Sequence, residues 1–258
     1  MAIDARQAAI LGAVQGVLEW LPVSSEGQSM LLMLKYLSIS VSEAFSLAIF
    51  LHLGTMFAVL LRFRREFLHM VLNPTAKLSK LVILATLSTG VTAVPLFFFV
   101  KNFKSGDMVS LLIGLMLIAT GLLLRAAKTA YGLKKAEDLS GKEAFFLGLF
   151  QGLAILPGVS RSGTTITYLL LSGVEQGQAL IVSFLISVPA VLGAVTLEAL
   201  SGNFVFFQNG LVMLLTSFAM GYLTMDALLK LAKKVNFSIF CVFLGVVTII
   251  IVAPAFGL

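Results

Sequence analysis

The sequence predicts an all-α polytopic membrane protein built as one domain, residues 1–258. It divides into two inverted-topology repeats, each a re-entrant helical hairpin plus three transmembrane helices. Two observations carry this reading. The chain is 59% hydrophobic, with mean hydropathy +1.04 and only 12% charged residues, against roughly 25% charged in soluble domains. In addition, Leu11-Gly12-Ala13-Val14-Gln15-Gly16 recurs as Leu147-Gly148-Leu149-Phe150-Gln151-Gly152, and Val23-Ser24-Ser25-Glu26-Gly27 as Val159-Ser160-Arg161-Ser162-Gly163, both at an offset of 136 residues. One offset for two motifs marks two copies of one unit, residues 1–127 and 128–258.

The elements follow in order. Residues 7–36 read as the first hairpin, broken at Pro22, because a proline interrupts the helical hydrogen-bond ladder. Apolar runs at about 44–61, 81–100 and 108–125 are long enough to cross a bilayer core of roughly 30 Å. Residues 143–176 read as the second hairpin, broken at Pro157-Gly158, and spans at about 177–199, 210–229 and 237–256 complete the second copy. Orientation comes from the basic residues. Arg62, Arg64, Arg65, Lys77 and Lys80 crowd one loop; Arg125, Lys128, Lys134, Lys135 and Lys142 a second; Lys230, Lys233 and Lys234 a third. These loops are placed in the cytoplasm. Both ends of residues 143–176 then lie on one side, so the segment cannot be a single crossing. Each copy has an odd number of spans, so the second is inverted, and the first hairpin enters from outside.

The formal charge of +6 reports topology here rather than a nucleic-acid partner. The lone Cys241, in an apolar run, excludes an intrachain disulfide and reads as a packing residue. Residues 7–21 run straight into the first motif rather than to a small-residue cleavage site, so no cleaved leader is expected. Gly12-x-x-x-Gly16 and Gly148-x-x-x-Gly152 would let the paired hairpins approach closely, and helix packing alone is the favoured reading of these glycines. Asp226 and Lys230 read as a local pair four residues apart, and Glu43, Glu175 and Glu198 as span-edge residues.

Inverted repeats with broken helices place a binding site at the repeat interface, where irregular backbone lines a cavity. Gln15 and Glu19 share one helical face, and an acid inside a membrane hairpin is costly unless it functions. Arg161, between Ser160 and Ser162, opens the half-helix after Pro157-Gly158, where free amides, the positive dipole end and a guanidinium fork suit an anion. Ser24, Ser25 and Glu26 hold the equivalent place in the first copy; N-capping is the plain alternative for the serines.

These residues carry a resemblance. Gln15-Gly16-Val17-Leu18-Glu19-Trp20-Leu21-Pro22-Val23-Ser24-Ser25 resembles the (E/Q)GxxE(F/W)LPVSS motif of the undecaprenyl-diphosphate phosphatases, the bacitracin-resistance membrane enzymes. Leu156 to Thr165 is similar to that family's PGxSRSxxT motif. The resemblance implies a plasma-membrane phosphatase that removes the terminal phosphate of a polyprenyl diphosphate, with its active site open to the outer face. It implies Arg161 as the diphosphate anchor, Glu19 as general acid/base or cation ligand, and Ser25 as nucleophile, with Gln15, Ser24, Ser160, Ser162 and Thr165 lining the pocket. It also implies dependence on a divalent cation, Mg or Ca, with Glu19 and Glu26 as candidate ligands, and is compatible with a homodimer.

The chain departs from the family at one point. After the double serine the family continues Thr-Gly-His, and this chain reads Glu26-Gly27-Gln28. A side-chain amide cannot act as a base, so Gln28 keeps at most a binding role. Three readings compete: Glu26 takes over as base; His52, in the next span, supplies the imidazole; or the protein binds or translocates polyprenyl phosphates without hydrolysis.

Overall fold

The computed structural model describes residues 3–126, 132–201, 209–232 and 235–257. Lys128, Lys233 and Lys234, the boundary between residues 127 and 128, and most of the 200–209 loop lie outside them. Among the described residues the chain is helical, with one isolated bridge between Lys134 and Val174.

Two helices open the chain. In α1 (Ala5–Leu18) the Asp4 side chain accepts from the Gln7 amide and the Gln7 side chain accepts from the Asp4 amide, a reciprocal cap. Helix α2 (Ser25–Tyr36) follows a break at residues 19–24. At about 1.5 Å per residue both are too short to cross a bilayer alone. They pack on each other and on α3 (Val41–Arg62). Next come α4 (Arg64–Leu72), α5 (Lys77–Lys101) and α6 (Gly106–Ala126). The second copy repeats the series with a short pair, α7 (Gly141–Gly152) and α8 (Arg161–Leu171), then α9 (Gln176–Leu200), α10 (Gly210–Ala232) and α11 (Phe237–Val252). Among the described residues six helices are long and apolar enough to cross a membrane: α3, α5, α6, α9, α10 and α11 with its terminal turn. Their bounds agree with the expected spans to within a few residues.

Helix α4 was not foreseen; its stretch read as basic loop. It puts Arg64 and Arg65 beside the exposed apolar Leu68, Val71 and Leu72, the composition of a helix lying at a membrane surface.

The packing is crossed between the copies. Helix α1 packs along α10, α7 along α5, α3 against α10 and α9 against α5, while α6 and α11 form the most extensive pair. The glycine pairs serve this crossing: they are helix-packing positions, and their partners are α10 and α5 rather than the facing hairpin. A Cβ on Gly12 would overlap Thr216 on α10, and one on Gly148 would overlap the Ala85 carbonyl and Ser88 on α5. Only hydrogen fits at these two contacts.

One ion pair also corrects the sequence reading. Asp226 meets Arg62 across helices, with 3.4 Å between charged atoms, rather than Lys230. Glu198 stands at the edge of its span, as expected, and is 3% exposed. It accepts from Lys101 Nζ at 2.8 Å and from the Ser46 hydroxyl, tying the ends of α3, α5 and α9 together.

At the start of α7, Glu143 accepts from Lys134 Nζ, the Ser140 amide and the Ser140 hydroxyl, each at 2.7 Å. Hydrogen bonds from Lys134 first and Ser140 next lower its carboxyl from an ordinary 4.5 to about 2. A depressed value stabilises the folded state fully above pH 4.5, and that contribution is lost as pH falls toward 2. For this partly exposed group it is on the order of 1 kcal/mol. Glu143→Gln is therefore expected to melt lower than wild type at pH 7 in detergent, with the gap closing below pH 3. Parallel melting curves across that range would contradict the assignment.

Candidate active site

The break at residues 19–24 gathers the site. Ser24 sits in the left-handed region, φ 57°, unusual for a residue with a Cβ. Its hydroxyl accepts from the Gly27 amide at 3.3 Å, capping α2, and from the Gly158 amide at 3.1 Å in the other copy's break. Gly158 is itself at φ 101°, where only glycine is at ease. One serine hydroxyl thus stitches the two breaks together. Trp20 closes the floor: it is 2% exposed, donates to the Gly221 carbonyl at 3.0 Å and meets Phe184 edge-to-face at 5.5 Å.

Glu19 is the hub. Its Oε2 accepts from Ser25 Oγ at 2.7 Å and from Gln15 Nε2 at 2.8 Å, and lies 3.4 Å from His52 Nε2. Its Oε1 accepts from Arg161 at 2.5 Å. Gln15 also reaches Ser25 Oγ at 3.3 Å. Four side chains from α1, α2, α3 and α8 therefore converge on one buried carboxylate, and two of them come from beyond the first hairpin. The i, i+4 spacing of Gln15 and Glu19 brings the first contact about; tertiary packing brings the rest.

Arg161 is held from three sides. Besides Glu19, its guanidinium donates to the Ser183 carbonyl at 3.3 Å and lies 5.8 Å from the centre of the Phe184 ring. Among the described residues two of its five N–H donors are engaged, which leaves the others for an anion. Ser183 is a residue the sequence reading missed. The signal was faint, since Ser187 stands four residues on in the same apolar stretch and the contact uses the Ser183 backbone carbonyl. His52 Nδ1 lies 2.7 Å from the Ala48 carbonyl. A carbonyl only accepts, so Nδ1 carries the hydrogen and Nε2, facing Glu19, is free to take a proton.

The other expected residues divide. Glu26 is buried, its Oε1 has no hydrogen-bond partner among the described residues, and it lines the cavity beside Ser25. Ser160 caps α8 by accepting from the Gly163 amide at 3.1 Å and contacts the Ser162 hydroxyl at 3.3 Å. Both serines line the cavity. Two residues are turned away. Thr165 is fully buried behind Arg161, bonded to its carbonyl at 2.8 Å and to Ser183 Oγ at 2.7 Å. Gln28 donates back to the Val23 carbonyl at 3.3 Å. Cys241 is a packing residue, buried with its thiol on the Pro22 carbonyl at 2.9 Å.

The cavity between Glu19, Ser25, Glu26, His52 and Arg161 measures about 30 Å³. From Glu26, His52 and Arg161 a groove of about 430 Å³ continues between α5, α7 and α9, walled by Val94, Val191 and Leu197 and reaching Leu200. A charged end and a long apolar trough suit a ligand with an anionic head and a hydrocarbon tail.

Comparison with known proteins agrees. The family model described as bacitracin resistance protein BacA matches residues 8–250. An undecaprenyl-diphosphatase of Methanothrix thermoacetophila is 52% identical over 254 residues, covering 97% of this chain and 98% of the relative. A protein of the same name from Haloarcula marismortui is 41% identical over 92% of this chain and 93% of its own length. One from Methanococcoides burtonii is 38% identical over 95% and 97%.

Proposed function

The chain belongs to the bacitracin resistance protein BacA family, and from that premise we propose that it hydrolyses undecaprenyl diphosphate to the monophosphate and inorganic phosphate, recycling a lipid carrier for cell-envelope glycans. The observation that carries the chemistry is the 2.7 Å hydrogen bond from Ser25 Oγ to Glu19, with His52 on the far side of the same carboxylate oxygen.

Ser25 attacks the terminal phosphorus. Its proton passes to Glu19 Oε2, and His52 Nε2 is placed to accept it in turn. The bond from phosphorus to the bridging oxygen breaks, and its electron pair leaves with the lipid monophosphate. Water then attacks the phosphoserine, the Ser25 oxygen leaves and recovers a proton, and phosphate departs. Arg161 binds the equatorial oxygens on which charge develops. It is oriented before substrate arrives by Glu19 and Ser183. Of the three readings of the Gln28 departure, the 3.4 Å approach of His52 to Glu19 favours His52. The groove takes the polyprenyl tail.

A divalent cation fits one feature of the site, the buried and unpartnered Glu26 Oε1. Among the described residues no three carboxylate, imidazole or thiolate side chains converge on one point. Glu26 would therefore hold the ion together with the diphosphate oxygens, the usual manner for Mg²⁺. When bound, the ion supplies positive charge to the phosphate oxygens.

The crossed packing of the two copies supports inverted repeats. The groove runs away from the basic 62–80 loop, toward the Lys101 and Leu200 ends of α5 and α9, which supports a site opening on the outer face of a plasma membrane.

The experiment is phosphate release from undecaprenyl diphosphate by purified protein in detergent, with wild type beside Ser25→Ala and His52→Asn. Ser25→Ala is expected to be silent. His52→Asn is expected to lose about 10²-fold in kcat. A silent wild type that still binds the lipid would leave only the non-hydrolytic reading. Full activity in Ser25→Ala would make water the nucleophile.

A further inference from the structure

Most interior glycines of this fold are explained by contact: a Cβ on Gly12, Gly16, Gly54, Gly148 or Gly152 would overlap a neighbouring helix. Gly90 and Gly193 are different. Each lies inside a long helix, Gly90 in α5 and Gly193 in α9, where glycine is destabilising relative to alanine. Yet a Cβ on either would meet nothing within 4 Å, and neither has a left-handed backbone. Neither packing nor conformation requires glycine at these places. What they share is the groove: both line it, on two of its walls.

The groove itself bears the marks of a ligand site. Gln151, 2% exposed, lines it with an Oε1 that has no hydrogen-bond partner among the described residues, and so does Glu26. Its charged end is the Arg161 site. Gly193 lies ten residues along α9 from Ser183, the carbonyl that holds Arg161, hence about 15 Å farther out. That distance is beyond the first isoprene units of a chain whose diphosphate sits at Arg161.

Gly90 stands near the head, since its neighbour Thr89 is bonded to Gln151, which also reaches the Ile186 carbonyl one turn from Ser183. We propose that Gly193 is a specificity-determining residue: the absent side chain leaves the width through which the distal, methyl-branched part of a long prenyl tail passes. This rests on the tail-in-groove reading above. Filling that notch narrows the trough past the head, so a short prenyl diphosphate still reaches Arg161 while a long one is obstructed.

The test compares kcat/KM for geranyl and undecaprenyl diphosphates in wild type, Gly193→Leu and Gly193→Ala, because the two isoprene units of geranyl end short of Gly193. Gly193→Leu is expected to lose about 10-fold or more on undecaprenyl diphosphate, mainly through KM, and to stay within about two-fold on geranyl diphosphate. Gly193→Ala falls between, with a melting temperature equal to or above wild type, and it carries the test if the leucine variant does not fold. Equal loss on both substrates, or no loss on either, overturns the proposal while leaving the phosphatase reading intact. A wild type that releases phosphate from neither substrate instead removes the reading on which it rests.

Discussion

Replacing Glu19 by Gln is expected to lower kcat for phosphate release by about 10³-fold, within the range for loss of a general base, while KM stays level or falls. The side chain keeps its size, so the break and its packing survive. What disappears is the acceptor for the Ser25 proton and the charge that holds Arg161 at 2.5 Å. An amide cannot take a proton at neutral pH. It can, however, release the guanidinium to the diphosphate, so ground-state binding does not suffer. A loss confined to kcat is therefore the signature of the hub, read by steady-state kinetics with single-turnover confirmation. A variant within ten-fold of wild type would mean that the hydrogen bond between Ser25 and Glu19 is structural.

The second large effect is at Arg161. Lysine keeps the charge but not the planar fork, and it cannot bond Glu19, the Ser183 carbonyl and a phosphate oxygen together. Arg161→Lys is expected to reduce kcat/KM by about 10² to 10³-fold, this time with a raised KM. Alanine is the poorer probe. It strands Glu19, a buried carboxylate, and breaking a buried pair from one side costs about 3–5 kcal/mol. The double variant Glu19→Gln/Arg161→Ala removes both charges and is expected to melt above Arg161→Ala, without regaining activity. A double variant no more stable than Arg161→Ala would show that the pair contributes nothing to holding the copies together.

Much of this was legible in the chain. Apolar runs of bilayer length gave the six spanning helices, because in lipid a backbone must satisfy its own hydrogen bonds. Pro22 and Pro157-Gly158 gave the two breaks. The unlike charges of the two motif segments, Glu19 and Glu26 in the first copy and Arg161 in the second, foretold a mixed-charge site. Side-chain direction was not legible. Thr165 and Gln28 stand in the motifs but turn to backbone groups, and Ser24 spends its hydroxyl on Gly27 and Gly158. Pairings across helices were also hidden, since spacing along a helix fixes which residues share its face but not what that face meets. Asp226 therefore found Arg62 rather than Lys230, and Glu198 found Lys101. The glycine ridges announced close approach without naming the partner, and His52 lay in a span with no motif around it.

The exchange of partners between the copies has a consequence for how the protein is made. Helix α1 ends at Leu18, while α10, along which it packs, begins at Gly210. At ribosomal rates of roughly 5–20 residues per second, α10 leaves the ribosome about 10–40 s later. Over that interval the nascent segment with Gln15 and Glu19 has neither its docking helix nor the Arg161 guanidinium, which is also synthesised later. Helix α1 thus reaches its final place only after much of the second copy has been made, and the site is complete only once Arg161 and α10 are in the membrane.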